Sequence, residues 1–268
     1  MNKIMRDKGA DFLMFLAVVL VVNSHLDEMY PNSLSALATG GAIGNALFFF
    51  CSGYKLFLGR WDRFDRWYKR RIARIWPTVI VWDVVAALVF SLPLSITALF
   101  DGWYCGYWFV KCIMIHYVAL YVIRRYMSEY LWVVFAFVCM GVLGWWAFAY
   151  SPEFAGHLFG ATKFEWYYDF MFTLLGGIMA TRPMQKRLPM LVALAMTGIF
   201  TVAYYGWLFA ANKVAFLLPI KVLALGFSIG IILFLYSFSR CQRLYDLMAS
   251  SRLGTLIAFC GGLSLEVY

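Results

Sequence analysis

An ionisable imidazole and a group of cations lie within the first 77 residues of the chain. His25 lies near the end of an apolar run that begins at Asp11, and the basic string Lys69-Arg70-Arg71-Ile72-Ala73-Arg74 follows further along the chain. Imidazole takes up and releases a proton near neutral pH, and guanidinium groups bind phosphates through charge-assisted hydrogen bonds. Because the chain around these residues is strongly apolar, they predict chemistry at a membrane.

The composition defines the environment of these residues. The chain of 268 residues is 63% hydrophobic and only 14% charged, which leaves too few polar side chains to coat a soluble protein. A helix needs roughly 17 to 25 apolar residues to cross the hydrocarbon. We therefore predict an all-α, polytopic transmembrane helix bundle that forms a single integral-membrane domain over residues 1–268. The nine predicted spans are 11–27, 41–58, 76–93, 105–123, 130–150, 166–181, 189–207, 214–238 and 253–268.

The basic residues predict the orientation of these spans. With a cytoplasmic N-terminus, eighteen Lys and Arg residues fall in inner segments, seven of them in the predicted inner loop near 59–75. The outer segments then hold only Lys163 and Lys213. Since Lys and Arg bias segments to stay in the cytoplasm, the net charge of +9 reflects topology, and nucleic-acid binding is not expected. The six cysteines have no paired spacing, so neither a disulfide framework nor a metal site is predicted.

Asp11 and His25 share one stripe of the first predicted helix. At 100° per residue, their separation of 14 positions returns to within about 40° of the same face, but it places them roughly 21 Å apart along the axis. They cannot share a proton, so they would act at different depths of one cavity. The alternative for His25 is a solvated histidine at the membrane interface.

The second and third predicted spans carry two further candidate features. Ser52-Gly53 follows an aromatic triplet, and small residues at this position are also explained by tight helix packing alone. Arg71 and Arg74 are three residues apart and share a helical face at the membrane border. An anion site and simple membrane orientation are both open interpretations of these arginines.

Several strings, taken in order, resemble the membrane-bound acyltransferase family 3. They are Asp11, His25, Phe48-Phe49-Phe50-Cys51-Ser52-Gly53-Tyr54 and Arg70-Arg71-Ile72-Ala73-Arg74-Ile75-Trp76-Pro77. Later strings agree with the resemblance: Tyr107-Trp108-Phe109-Val110-Lys111, Leu174-Leu175-Gly176-Gly177 and Leu263-Ser264-Leu265-Glu266-Val267-Tyr268. The resemblance extends over nearly the whole chain.

The resemblance implies a multi-pass protein of the inner (plasma) membrane, with about ten helices where nine are read here. Such a protein moves an acyl group, usually acetyl, from cytoplasmic acyl-CoA to a hydroxyl of a surface glycan or glycolipid. It implies catalytic roles for His25 and Asp11. The implied acyl-CoA-binding residues are Lys69, Arg70, Arg71 and Arg74. The implied site-lining residues are Phe48, Phe49, Ser52, Gly53, Trp108, Lys111 and Glu266.

The sequence departs from the family pattern at two places. Members commonly have an arginine eleven residues before the histidine, where this chain has Met14, and we consider Lys111 and Lys221 as substitutes. The string Ser264-Leu265-Glu266-Val267-Tyr268 normally opens a final span in the family, which leaves open whether a last span is lacking.

Three functions are carried forward from the sequence. In the enzyme, neutral His25 removes the proton from the acceptor hydroxyl as that hydroxyl attacks the thioester, and then returns it to the leaving thiolate. In a transporter, charged residues within the spans would form an ion pathway; the candidates are Asp11, Asp83, Lys111, His116 and Lys221. A catalytically inactive family relic is the third interpretation, because of Met14.

Overall fold

The fold is all helical throughout the part of the chain that can be described. The computed structural model describes residues 7–31, 34, 37–59, 61–91, 107–149, 163–181, 190–210, 218–250 and 252–263. Within these ranges it contains α-helices, two 3₁₀ turns and no strand. The helices are α1 (Lys8–Ser24), α2 (Gly41–Leu58), α3 (Phe64–Val89), α4 (Tyr107–Met127), α5 (Leu131–Ala149), α6 (Lys163–Thr181), α7 (Met190–Ala210), α8 (Leu218–Ser239), α9 (Gln242–Ser250) and α10 (Arg252–Leu263). The 3₁₀ turns are Asp27–Met29 and Ser128–Tyr130. The predicted all-α polytopic bundle is confirmed.

Most helices follow the predicted spans closely, and α3 is the main difference. The segment near 59–75 was expected to be an inner loop, but α3 begins at Phe64 and includes five of the seven basic residues of that segment. Pro77 was expected to begin a span, yet it lies inside this helix. Span prediction counts apolar residues and therefore misses a polar first half, although Arg, Lys and Ala are good helix formers. α9 was not predicted for the same reason.

Some of these helices have the length and hydropathy needed to cross a membrane. In the described residues, the qualifying stretches are Gly41–Leu58, Phe64–Val89, Trp108–Gly144 and Val222–Ser239. The third stretch runs through α4, the 3₁₀ turn and α5. Met190–Ala203 is a shorter apolar helix. The count of nine spans stays a prediction.

α2 is the central helix, and it packs most extensively against α6. A Cβ atom at Gly53 would collide with the backbone carbonyl of Thr173, and one at Gly176 would collide with the carbonyl of Phe50. The two helices therefore meet backbone to backbone, through one glycine from each side. On another face of α2, Gly44 lies against α1, where its Cβ atom would be 2.9 Å from the Ala17 carbonyl oxygen.

Asp7 joins the start of α1, the helix α2 and the end of α8. We call this end of the bundle, where Arg124 and Arg240 lie, the basic end. Its Oδ1 accepts the Ala10 backbone N–H at 3.2 Å and thereby caps α1. Its Oδ2 accepts hydrogen bonds from Arg240 at 2.8 Å and from the Tyr54 hydroxyl at 3.1 Å. Burial alone would raise the pKa of Asp7, but the Arg240 charge and these hydrogen bonds lower it overall.

The ends of other helices meet at the same end of the bundle. Arg124, near the end of α4, donates to the Leu56 carbonyl oxygen of α2 at 3.1 Å. Residues from several predicted inner segments thus come together, which fits the charge distribution along the sequence. The cytoplasmic location of this end stays a prediction.

Replacing Gly53 with alanine should damage the fold, because the new methyl group would force α2 and α6 apart. We expect a loss of about 1–3 kcal/mol, the usual cost of overpacking, measured as a lower melting temperature of the purified protein in detergent. Gly141→Ala is the matched control, since the added Cβ would meet no atom of another described element within 4 Å. Equal melting temperatures for both variants would contradict the packing described for α2.

Replacing Asp7 with asparagine should lower stability at neutral pH. Because the folded-state pKa of Asp7 lies below its ordinary value of 3.8, its charge stabilises the fold fully above that value. This contribution is lost as the pH falls through the lower, folded-state pKa. We therefore expect the difference in melting temperature between wild type and Asp7→Asn to disappear in strong acid. A difference that stays constant down to pH 2 would show that the charge of Asp7 contributes nothing.

Candidate active site

A cavity lies between α2, α3 and α4, toward the basic end of the bundle. Its volume is about 130 Å³. Residues from all three helices line it: Ser52, Lys55, Leu56, Arg71, Arg74, Ile75 and Tyr117. The fold therefore brings Ser52, Arg71 and Arg74 to one place, although the sequence predicted them from separate strings. Their predicted roles in binding and lining stay predictions.

Arg71 is held in the cavity wall by aromatic rings. Its guanidinium carbon lies 5.5 Å from the centre of the Trp67 ring and 5.8 Å from that of Tyr117. The Trp67 ring stacks on the Trp61 ring, with ring centres 5.2 Å apart. The guanidinium carbon of Arg124 in turn lies 4.2 Å from the centre of the Trp61 ring. Cations over aromatic faces are attracted by the ring quadrupole. The stack therefore fixes the position of Arg71 while leaving its N–H groups able to bind an anion.

Ser52 contributes a buried hydroxyl group to the cavity. The residue is 4% exposed, and its Oγ makes no hydrogen bond of ordinary geometry with any residue that the structure describes. The Tyr117 hydroxyl is near enough to interact with it weakly. A buried hydroxyl without a good partner is costly. Ser52 is thus positioned to bond a ligand in the cavity.

Lys55 is a cavity residue that the sequence reasoning missed. It lies one turn after Ser52, and its Nζ atom is 3.2 Å from Asp11 Oδ1 and 3.0 Å from Met14 Sδ. The structure thus places a lysine from α2 beside Met14, where only Lys111 and Lys221 had been considered as substitutes. The signal was present, since Lys55 is a charged residue inside the predicted span 41–58. Asp11 itself is 2% exposed.

Lys69 and Arg70 lie outside the cavity. Lys69 is exposed, and Arg70 donates to Asp62 Oδ2 at 3.2 Å near the start of α3. Hydrogen bonds from the Arg63 backbone N–H and from Arg70 lower the pKa of Asp62. Of the four predicted acyl-CoA-binding residues, the structure brings only Arg71 and Arg74 to the cavity.

An aromatic layer fills the bundle on the side of Ser52 that faces away from the basic end. Phe48 and Phe49 are 2% and 0% exposed. The Phe49 ring lies 4.9 Å from the Phe109 ring and 5.1 Å from the His116 imidazole. These residues pack above the cavity, whereas Gly53 contacts α6 and serves helix packing.

His25 lies at the opposite end of α1 from the cavity. Its side chain is exposed, and its Nδ1–H donates to the Val21 carbonyl oxygen at 2.8 Å. In neutral imidazole this assignment leaves the lone pair on Nε2, which can accept a proton. Asn23 holds the following segment in place, because its Nδ2 donates to the carbonyl oxygens of Leu37 and Thr39 at 2.8 and 3.0 Å.

His25 and the cavity are well separated in the structure. The contact of Gly41 with Ser24 places the start of α2 beside His25. Ser52 is 11 residues further along α2, or about 17 Å at 1.5 Å per residue. Among the described residues, the lining of the cavity does not extend to His25.

The remaining predicted site residues lie elsewhere. Trp108 and Lys111 are half-buried in the first turns of α4, well before Tyr117, and Glu266 lies outside the described residues. Trp108 packs edge-on against Phe109, with ring centres 6.0 Å apart. Neither Trp108 nor Lys111 contributes to the cavity wall.

His116 belongs to a hydrogen-bonded contact between α4 and α6. Its Nε2 donates to the Trp166 carbonyl oxygen at 2.8 Å, and the Thr173 hydroxyl lies 3.2 Å from Nδ1. Protein groups therefore occupy both ring nitrogens, which favours a structural role over a place in an ion pathway. The side chain of Lys221, another residue of the transporter interpretation, lies outside the described part.

The structure is a polytopic helical bundle with a cavity that is lined by three cationic side chains, those of Lys55, Arg71 and Arg74. Comparison with family models gives a match, described as Acyltransferase domain, over residues 7–268. The chain therefore belongs to acyltransferase family 3, and it is an acyltransferase of that family. A search of curated proteins gave no significant match. A search of solved structures also gave none.

Replacing Trp67 with leucine should weaken anion binding, because Arg71 loses the ring that positions it. A cation–π contact of about 0.5–1 kcal/mol corresponds to a two- to five-fold loss of affinity. Pyrophosphate is a suitable probe, with binding measured by calorimetry on the purified protein. Trp67→Phe, which retains a ring, should keep most of the affinity. Identical affinities for the leucine and phenylalanine variants would show that the ring does not position Arg71.

Proposed function

We propose that this protein is an integral-membrane O-acyltransferase that uses acyl-CoA, with acetyl-CoA as the donor. The acceptor is a hydroxyl group of a cell-surface or exported glycan or glycolipid, and the protein is in the inner (plasma) membrane. Its membership of acyltransferase family 3 gives the reaction class. The observation that carries the finer proposal is the cavity in which Arg71, Arg74 and Ser52 meet.

The cavity supports binding of the CoA phosphates. Guanidinium groups form paired, charge-assisted hydrogen bonds with phosphate oxygens, and the rings around Arg71 reduce the entropy lost on binding. The Ser52 hydroxyl would supply a further hydrogen bond. The basic end of the bundle is the predicted cytoplasmic side, where acyl-CoA is available.

The Nε2 atom of His25, a residue that is exposed, supports a role as general base because Nδ1 carries the hydrogen. It would take the proton of the acceptor hydroxyl while the hydroxyl oxygen forms its bond to the thioester carbonyl carbon. The carbon–sulfur bond then breaks, and the imidazolium returns the proton to the thiolate. The products are the acyl ester and free CoA. The Nδ1–H bond to Val21 keeps the ring in the tautomer that this step needs.

The separation of His25 from the cavity adds a requirement to this proposal. The phosphates would bind at the inner end, while proton transfer occurs about 17 Å away at the outer end of the bundle. The slim pantetheine arm would have to carry the acyl thioester across that distance to the hydroxyl beside His25. The aromatic layer around Phe48 and Phe49 would have to open for this passage.

Replacing His25 with alanine should abolish acyl transfer without affecting membrane insertion. General base catalysis contributes about 10²–10⁴-fold, so we expect at least a 100-fold fall in acceptor-dependent consumption of radiolabelled acetyl-CoA. Met29→Ala is a matched control, because Met29 is 78% exposed in the same outer segment. It should keep wild-type activity.

Other outcomes would support the rival functions. Substantial turnover by His25→Ala would reject the role of that residue. Binding of acetyl-CoA by the wild type without any turnover would favour the inactive relic. Solute or ion flux through proteoliposomes without acyl-CoA would favour the transporter. Mass spectrometry of glycans from cells with and without the gene would identify the acceptor by a mass difference of one acyl group.

A further inference from the structure

Lys55 is a cation that faces the cavity from within the apolar helix α2. Its ammonium group has three N–H donors. One points to Asp11 Oδ1 at 3.2 Å and one to the weak acceptor Met14 Sδ at 3.0 Å. These contacts leave a donor for the cavity that Lys55 lines.

The ion pair with Asp11 explains how a lysine can be held at this depth. A cation in an apolar bundle is costly unless a counter-charge compensates it. The side chain of Asp11 is 3% exposed, whereas that of Lys55 is 29% exposed. The carboxylate is therefore fixed behind the cavity wall, and the ammonium lies between it and the open space. Asp11 orients the ammonium toward a ligand.

The charges around the cavity favour an anion with more than one negative charge. Lys55, Arg71 and Arg74 supply three positive charges, and Asp11 supplies one negative charge. Ammonium is a compact charge with freely rotating donors, and it complements the planar guanidinium groups in binding phosphate. Ser52, one turn before Lys55, presents its hydroxyl to the same space.

We propose that Lys55 binds the diphosphate-bearing part of the acyl donor together with Arg71 and Arg74, and that Asp11 is a positioning residue for its ammonium group. This inference rests on the proposed function. It adds a binding residue from α2 to the two arginines of α3, and it assigns Asp11 to donor binding instead of proton transfer.

The test compares four variants of the full-length protein in detergent or proteoliposomes. Lys55→Met removes the charge, and Lys55→Arg retains it. The double variant Asp11→Asn with Lys55→Met removes both charges, so that no carboxylate loses its lysine partner. Arg243→Met, at an exposed position in α9, is the control for net charge. The measurements are KM and kcat with acetyl-CoA, and the inhibition constant of inorganic pyrophosphate.

We expect Lys55→Met to raise KM and the pyrophosphate inhibition constant about ten-fold or more, as is typical for loss of a charged hydrogen bond, with a smaller change in kcat. Lys55→Arg should recover much of the affinity. The double variant should keep the raised values, because it still lacks the cation. It also keeps the test valid if Lys55→Met alone fails to fold.

Two results would overturn the inference. One is an unchanged KM in Lys55→Met, and the other is a wild-type KM in the double variant, which would show that Lys55 only neutralises Asp11. If the wild type consumes no acetyl-CoA, the proposed function fails. Direct binding of pyrophosphate to wild type and Lys55→Met then decides the inference by itself, and equal binding would reject it.

Discussion

The backbone contact between α2 and α6 is the constraint on which the cavity depends. Because Gly53 and Gly176 let these two helices touch, one face of α2 is committed to α6. Ser52, Lys55 and Leu56 follow each other at helical spacing on another face and therefore turn toward α3 and α4. A small residue in the middle of the aromatic motif thus has an indirect role: it sets the rotation of the helix that presents the polar groups.

Two carboxylates at the start of α1, those of the N-cap residue Asp7 and of Asp11, link α1 to α2 and to Arg240, which follows α8. Asp7 and Asp11 are four residues apart and lie on one face of α1. Tyr54 of α2 bonds to Asp7, and its neighbour Lys55 bonds to Asp11. Arg240 donates a hydrogen bond to Asp7 and also lies over the Tyr54 ring. These contacts use the Asp7 carboxylate to hold the helices together. The Asp11 group opens onto the cavity, so the same kind of ion pair can serve a ligand there.

The sequence predicts the helices well and the site only in part. Apolar runs of membrane length mark most helices, because the hydrocarbon thickness sets their size. The same rule fails for the first half of α3, because its arginines are helical although their hydropathy lies outside any predicted span. For the site, the sequence motifs suggest Ser52, Arg71 and Arg74. They do not show that Arg70 instead donates a hydrogen bond to Asp62. Lys55 was missed because only Lys111 and Lys221 were considered as substitutes for the arginine that is absent at Met14. Only the fold shows that Lys55 is the lysine beside Met14.

The structure separates the cation-lined cavity from His25, and this separation has a chemical use if the proposed function holds. A thioester near an activated hydroxyl and water would also be open to hydrolysis, which an active site must prevent. The buried rings of Phe48 and Phe49 lie on α2 between the cavity and the opposite end of the bundle, where His25 is exposed. In this closed arrangement, a donor bound by the cations at the inner end is kept away from the base. Under the proposed function, acyl transfer would require both a bound donor and a parting of these rings, and the aromatic layer would then couple phosphate binding to access to the acceptor.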